Sequence, residues 1–125
     1  MDRSSPHLPR LAPIEAYRGN GFRFADMSHQ GALLCVPDGM WASAVRTPGD
    51  IDEAALALVF GCEPPVEMCI VGAGREPWMV PPALRMRCRE AGFTIEGMTT
   101  PAAVHTYNIL VDERRRVAAL LIPLD

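Results

Sequence analysis

Two short apolar segments, residues 68–71 (MCIV) and 117–122 (VAALLI), and a further strand segment between them, residues 93–97 (FTIEG), recur along the second half of this chain, and the stretches between them have helical spacing. That alternation constrains the fold more than any other feature. Apolar runs of strand length with little alternation belong to strands covered on both faces. Strands alternating with helices favour a parallel or mixed sheet wrapped by helical layers. Between the segments, Leu84, Cys88 and Ala91 share one helical face after an entry at Pro81 and Pro82, and Gly92 ends that helix. Thr100 reads as an N-cap with Pro101 in the first helical position, and Ala103, Tyr107 and Leu110 continue along one face. A further helix is expected from Asp50, where Asp50 and Glu53 have the capping spacing. Ile51, Ala54, Ala55, Leu58 and Val59 would line its buried face, and Gly61 followed by Pro64-Pro65 would stop it.

The first half reads as strands. Residues 14–17 form a short strand, and Gly19-Asn20-Gly21 forms a turn. Phe22 and Phe24 share a face of a second strand, and residues 27–30 read as a hydrophilic bend. Residues 32–36 (ALLCV) form an apolar strand, Pro37-Asp38-Gly39 a turn, and residues 40–45 a returning strand. These hairpins either extend the main sheet or build a second layer. The whole is an α/β domain over residues 14–125, with residues 1–13 expected to form a flexible N-terminal tail.

Composition narrows the function. Apolar residues at 49% and charged residues at 22% are globular values. Twelve basic against fifteen acidic residues leave a net charge of −3, which does not suit a nucleic-acid partner. No apolar run approaches ~18 residues, so no transmembrane segment is expected. Residues 1–13 lack the apolar stretch of a secretory signal. Cys35, Cys62, Cys69 and Cys88 sit in or beside apolar runs with no metal or redox spacing, and they read as buried thiols in a reducing cytoplasm.

Few residues invite chemistry. Gly72-Ala73-Gly74 follows a strand, and Glu96 ends the next, in partial imitation of a dinucleotide fingerprint. Pro77 stands where the third glycine belongs, and residues 75–80 separate the turn from any helix, so no nucleotide cofactor is expected. Arg114-Arg115-Arg116 reads as a solvated turn. His7, His29 and His105 have no spacing that joins them to a cysteine or serine nucleophile, so no catalytic set and no metal site are assigned. Thr106 and Asn108 are polar residues in an otherwise apolar helix and need partners if buried. Two readings stay open. One is a structural network tying this helix to nearby loops. The other is a ligand pocket built from Gly72, Gly74, Thr100, Thr106, Tyr107 and Asn108 at a sheet edge, serving a small-molecule or anion-binding protein, or an enzyme.

Several pieces in order resemble one family: Gly21-Phe22-Arg23-Phe24, Gly31-Ala32-Leu33-Leu34 before Pro37-Asp38-Gly39, the Gly72-Ala73-Gly74 turn, and Pro81-Pro82-Ala83-Leu84. With them go Met98-Thr99-Thr100, Ala103, Thr106-Tyr107-Asn108-Ile109-Leu110 and residues 117–123. They resemble a domain-of-unknown-function family that includes the mitochondrial NADH dehydrogenase alpha-subcomplex assembly factor 3 and an adipogenesis-associated Mth938-like domain protein. The resemblance implies a three-layer Mth938-like fold: a mixed central β-sheet, helices packed on it, and an additional N-terminal β-hairpin layer. It also implies a protein-interaction or assembly module whose partners are respiratory-chain assembly components; a homodimer is compatible with this reading and with the ligand pocket alike. It brings no cofactor and no catalytic residue, so the reading leans against an enzyme. One departure stands out: Arg114 occupies a position where relatives often carry glycine.

Overall fold

A computed structural model describes residues 7–125. Two sheets and three α-helices pack in three layers. The opening meander is β1 (Ala16–Arg18), β2 (Gly21–Phe24) and β3 (Met27–Gln30), antiparallel throughout. The hairpin β4 (Ala32–Val36) and β5 (Gly39–Ser43) instead joins β6 (Met68–Gly72), β7 (Thr94–Met98) and β8 (Val117–Leu121) in a second sheet of order β5-β4-β8-β6-β7. The opening strands therefore do both things the sequence allowed: one hairpin extends the main sheet and the meander forms a separate layer. β4 is antiparallel to both its neighbours, while β6 is parallel to β7 and to β8. Four of the five strands thus point one way, and their carboxyl ends share one edge of the sheet.

Alternation along the central strands sorts the core into two halves. Leu34, Val71, Leu120 and Ile95 face one side, where they meet Cys88 of α2 (Pro82–Glu90) and Val59 of α1 (Ala57–Phe60). Leu33, Ile70, Ala119 and Leu121 face the other, against Ala103 and Tyr107 of α3 (Thr100–Asp112) and against Phe22 and Phe24 of the small sheet. The period of two along each strand makes this sorting automatic. Every residue of β4 and of β8 is buried.

Four expectations need correction. Residues 27–30 are a strand and not a bend: Ala25 and Asp26, both at positive φ, make a two-residue hairpin loop between Phe24 and Met27. Such loops normally announce themselves with Asn-Gly or Asp-Gly, which this one lacks. Only α1 and a 3₁₀ turn at Pro48–Asp50 occupy the stretch expected to be one long helix. The Asp50 carboxylate accepts from the amides of Arg46 and Thr47 instead of capping residues after it, so it closes the preceding turn. Residues 7–13 are tied down: the amides of His7 and Met40 bond to the carbonyls of Met40 and Leu8, and Ala12 is buried. Residues 1–6 of the expected tail lie outside the described residues. Finally, the N-cap of α3 is Thr99, whose hydroxyl accepts from the Ala102 amide, and not Thr100.

Candidate functional site

The residue after a helix start has orphan amides on one side and a sheet on the other, and Thr100 uses that position to join the ends of two strands to its helix. It is completely buried. Its hydroxyl accepts from the Gly74 amide at 2.8 Å and donates to the Ile122 carbonyl. Its own amide donates to the Gly74 carbonyl at 2.8 Å, and the Ile122 amide donates to the Gly72 carbonyl at 2.8 Å. The ends of β6 and β8 are thereby fastened to the start of α3. Gly72 permits the approach, since a Cβ there would lie 3.0 Å from the Ala103 Cβ and 3.1 Å from the Thr100 Cα. Gly74 adopts φ +95, a region open to glycine at no steric cost.

The remaining sequence-predicted residues form a second station. Asn108 lies eight residues beyond Thr100, about 12 Å along the helix axis. Its side chain accepts from the Ile14 amide at 2.8 Å and donates to the Ile14 carbonyl at 2.9 Å, in the manner of a neighbouring strand. The Tyr107 hydroxyl donates to the Ala12 carbonyl at 2.8 Å, and Thr106 is half-buried. Burial drives the Tyr107 phenol far above its usual pKa, with Cys35 beside it adding to the effect. Thus Gly72, Gly74 and Thr100 come together, and Tyr107 and Asn108 come together elsewhere. Both groups spend their polar atoms on the protein's own backbone. The amides of Thr100, Ala102 and Ala103 are likewise occupied, by the Gly74 carbonyl and by Thr99, so the start of α3 offers them to no ligand.

The open space lies on the other side of Gly74. A cleft of about 640 Å³ runs along the shared carboxyl edge, walled by residues 45–48 after β5, 73–75 after β6 and 122–125 after β8, with Asn20, Gly31 and Ala32. Clefts beyond the carboxyl ends of parallel strands are the usual ligand sites of α/β sheets. Arg46 and Arg75 supply its cations, and Arg75 is paired with Asp125 at 2.9 Å. The sequence reading found Gly74 but missed Arg46, Arg75 and Asp125. Asking which residues follow each strand would have pointed to all three.

The other candidates are accounted for structurally. Burial pushes the thiol of Cys35 up to about 12 and that of Cys88 up to about 11, and raises Cys62 and Cys69 as well, so all four are poor nucleophiles. Arg115 pairs with Glu67 at 2.7 Å and Arg116 donates to the Pro64 carbonyl at 2.6 Å. Glu96 lies 3.9 Å from Arg85. Among the described residues no helix is long and apolar enough to cross a membrane.

A mixed five-stranded sheet with helices on both faces and a three-stranded layer beside α3 defines an Mth938-like α/β domain. The chain belongs to the family described as proteins of unknown function (DUF498/DUF598), which it matches over residues 14–122. It is 33% identical over 124 residues to an uncharacterized protein of Rhodobacter capsulatus, covering 99% of this chain and 94% of that one. It is 30% identical over 116 residues to NADH dehydrogenase [ubiquinone] 1 alpha subcomplex assembly factor 3 of mouse, covering 93% of this chain but 63% of the relative. Among solved structures, one described as an outer membrane protein from Bartonella henselae superposes with a TM-score of 0.90 at 38% identity, over 95% of this chain and all (100%) of that one. A Bordetella pertussis Mth938-like domain superposes with a TM-score of 0.77 at 25% identity, over 99% and 93% of the two chains.

Proposed function

We propose that this chain is a non-enzymatic protein-interaction module that helps assemble a respiratory-chain complex in a reducing compartment such as the cytoplasm. The observation that supports this most is the likeness to assembly factor 3, which runs through the whole fold at 30% identity over 116 residues. Thr100, Tyr107 and Asn108, the polar residues of the family-like segments, bond to this chain's backbone, as scaffold residues do. The surface offers apolar contact where Met79 is 89% and Met86 63% exposed, on the loop before α2 and on α2 itself. Trp41 and Trp78 are half-buried and pack on the core. The partner is a respiratory-chain component or assembly protein, with a second copy of the chain as the homodimeric form of the same contact.

Deleting the gene in its own host and resolving the respiratory complexes on native gels tests this. The expected result is a loss of assembled NADH dehydrogenase, restored by the wild-type gene and poorly restored by Met79→Ser/Met86→Ser. Normal complex levels in the deletion strain would overturn it.

A second reading is carried by the cleft: a protein that binds a small molecule or anion at the carboxyl edge, with Ala73, Gly74 and Arg75 as one wall. Of the residues the sequence pointed to, Gly74 lines that cleft, whereas Gly72, Thr100, Thr106, Tyr107 and Asn108 do not.

A further inference from the structure

We infer that the cleft at the carboxyl edge holds a small organic carboxylate, and that Asp125 occupies the ligand's anionic position until one arrives. This rests on the second reading above and goes further, naming the ligand's chemistry and an internal competitor. Three observations converge. The strands β5, β8 and β6 all point their carboxyl ends at this cleft, and the segments that follow them form its walls. At about 640 Å³ it matches the size of small-molecule sites. Its lining carries two cations: Arg75, paired with the Asp125 side chain, and Arg46, whose charge acts on the nearby Asp50 carboxylate that the Arg46 and Thr47 amides hold in place.

The Arg75–Asp125 pair shows what the site accepts. A carboxylate oxygen lies 2.9 Å from the Arg75 Nη2, the geometry a ligand carboxylate would adopt. Both side chains are more than 60% exposed, at 68% and 61%. An exposed pair is held weakly, so an incoming carboxylate can take its place at little cost. The rest of the segment stays anchored, since the Asp125 amide donates to the Gly19 carbonyl at 3.1 Å and the Ile122 amide to the Gly72 carbonyl. Only the side chain need turn away. Val45, Ala73, Ile122, Pro123 and Leu124 add apolar surface, which suits an acid with a short hydrocarbon body over a bare inorganic anion.

Titrating the full-length protein with hexanoate, hexanamide, acetate and inorganic phosphate, followed by amide NMR shifts, tests this. Hexanoate should shift the amides of residues 46, 47 and 73–75 and bind about threefold more tightly than hexanamide, with acetate and phosphate weaker still. Asp125→Asn should tighten hexanoate about threefold and leave hexanamide unchanged, because it removes a weak competitor. Arg75→Gln should weaken hexanoate about threefold. Both variants alter exposed side chains, so the fold is retained. Hexanamide binding as well as hexanoate would overturn the carboxylate assignment and leave the second reading standing. Weaker hexanoate binding in Asp125→Asn would overturn the competitor role. No shift in the cleft with any probe would overturn both the inference and the reading it rests on.

Discussion

The two sheets of this molecule are held by different means. In the central sheet, β4 and β8 are buried at every residue, and each strand packs one set of side chains against α1 and α2 and the other against α3. In the outer sheet, β1 is exposed throughout and β3 alternates between half-buried and exposed. That layer is joined to the core by Phe22 and Phe24 on one face and by two polar side chains of α3, Tyr107 and Asn108, which bond to the segment leading into β1. Burial on two faces makes a strand part of the global cooperative unit. Burial on one face, with side-chain hydrogen bonds at the margin, leaves a layer able to open locally.

The largest test of that contrast is Leu120→Ala in β8. It removes a fully buried side chain and should cost about 4 kcal/mol, read as a lower urea midpoint by every probe. Thr100→Val keeps the shape but strands the Gly74 amide and the Ile122 carbonyl, and should cost about 2 kcal/mol, again globally. Asn108→Ala leaves the Ile14 amide and carbonyl without their partner. It should cost about 1.5 kcal/mol, but with faster hydrogen exchange confined to residues 12–30. Uniform acceleration, with β6 and β8 affected equally, would show that the two sheets open as one.

Smaller effects sharpen the contrast. Ala25 sits at φ 49 in the β2–β3 loop, and Ala25→Asn should stabilise the outer sheet by about 0.5 kcal/mol in a urea melt. The smallest effect is on pH dependence. Burial beneath the outer layer lowers the His29 pKa below 6.5, outweighing the hydrogen bond to the Ala32 carbonyl that raises it, and the His7 ring lies 4.9 Å away. The folded form therefore takes up its proton later than the unfolded chain. The stability this contributes is present above pH 6.5 and is lost as pH falls toward the folded value. Melting temperature should fall on acidification below pH 6.5, and His29→Gln should flatten that slope.

The same contrast explains what could be read from the residues. The central strands were legible because a strand covered on both faces must be apolar along its length, and MCIV and VAALLI have no other plausible location. β3 was not legible. MSHQ carries no apolar face, and its hairpin depends on two non-glycine residues held at positive φ by the pairing of β2 with β3. The stretch 50–60 has helical periodicity, yet only Ala57–Phe60 is α-helical. Arg114, at φ 60, follows the same rule as Ala25: a turn can be forced on an unsuitable residue when both flanks are anchored. At the site, Gly72, Gly74 and Thr100 were found because glycine and a polar residue in an apolar segment are conspicuous. Arg46, Arg75 and Asp125 were not, because an exposed charge looks alike everywhere in a sequence.

Local rules decided by the residues alone produced the α/β class, the buried strands, the entry of α2 and the positive φ at Gly74, since each depends on side-chain size, periodicity or backbone freedom within a few positions. Only the tertiary structure decided that Thr100 locks the ends of β6 and β8 to its helix instead of capping it. It alone decided that Asn108 stands in for a strand beside residue 14, and that Arg46, Arg75 and Asp125 meet around one cleft. Those outcomes depend on hydrogen bonds and charges between residues 22 to 94 positions apart, whose partners exist only after the sheet order has been chosen.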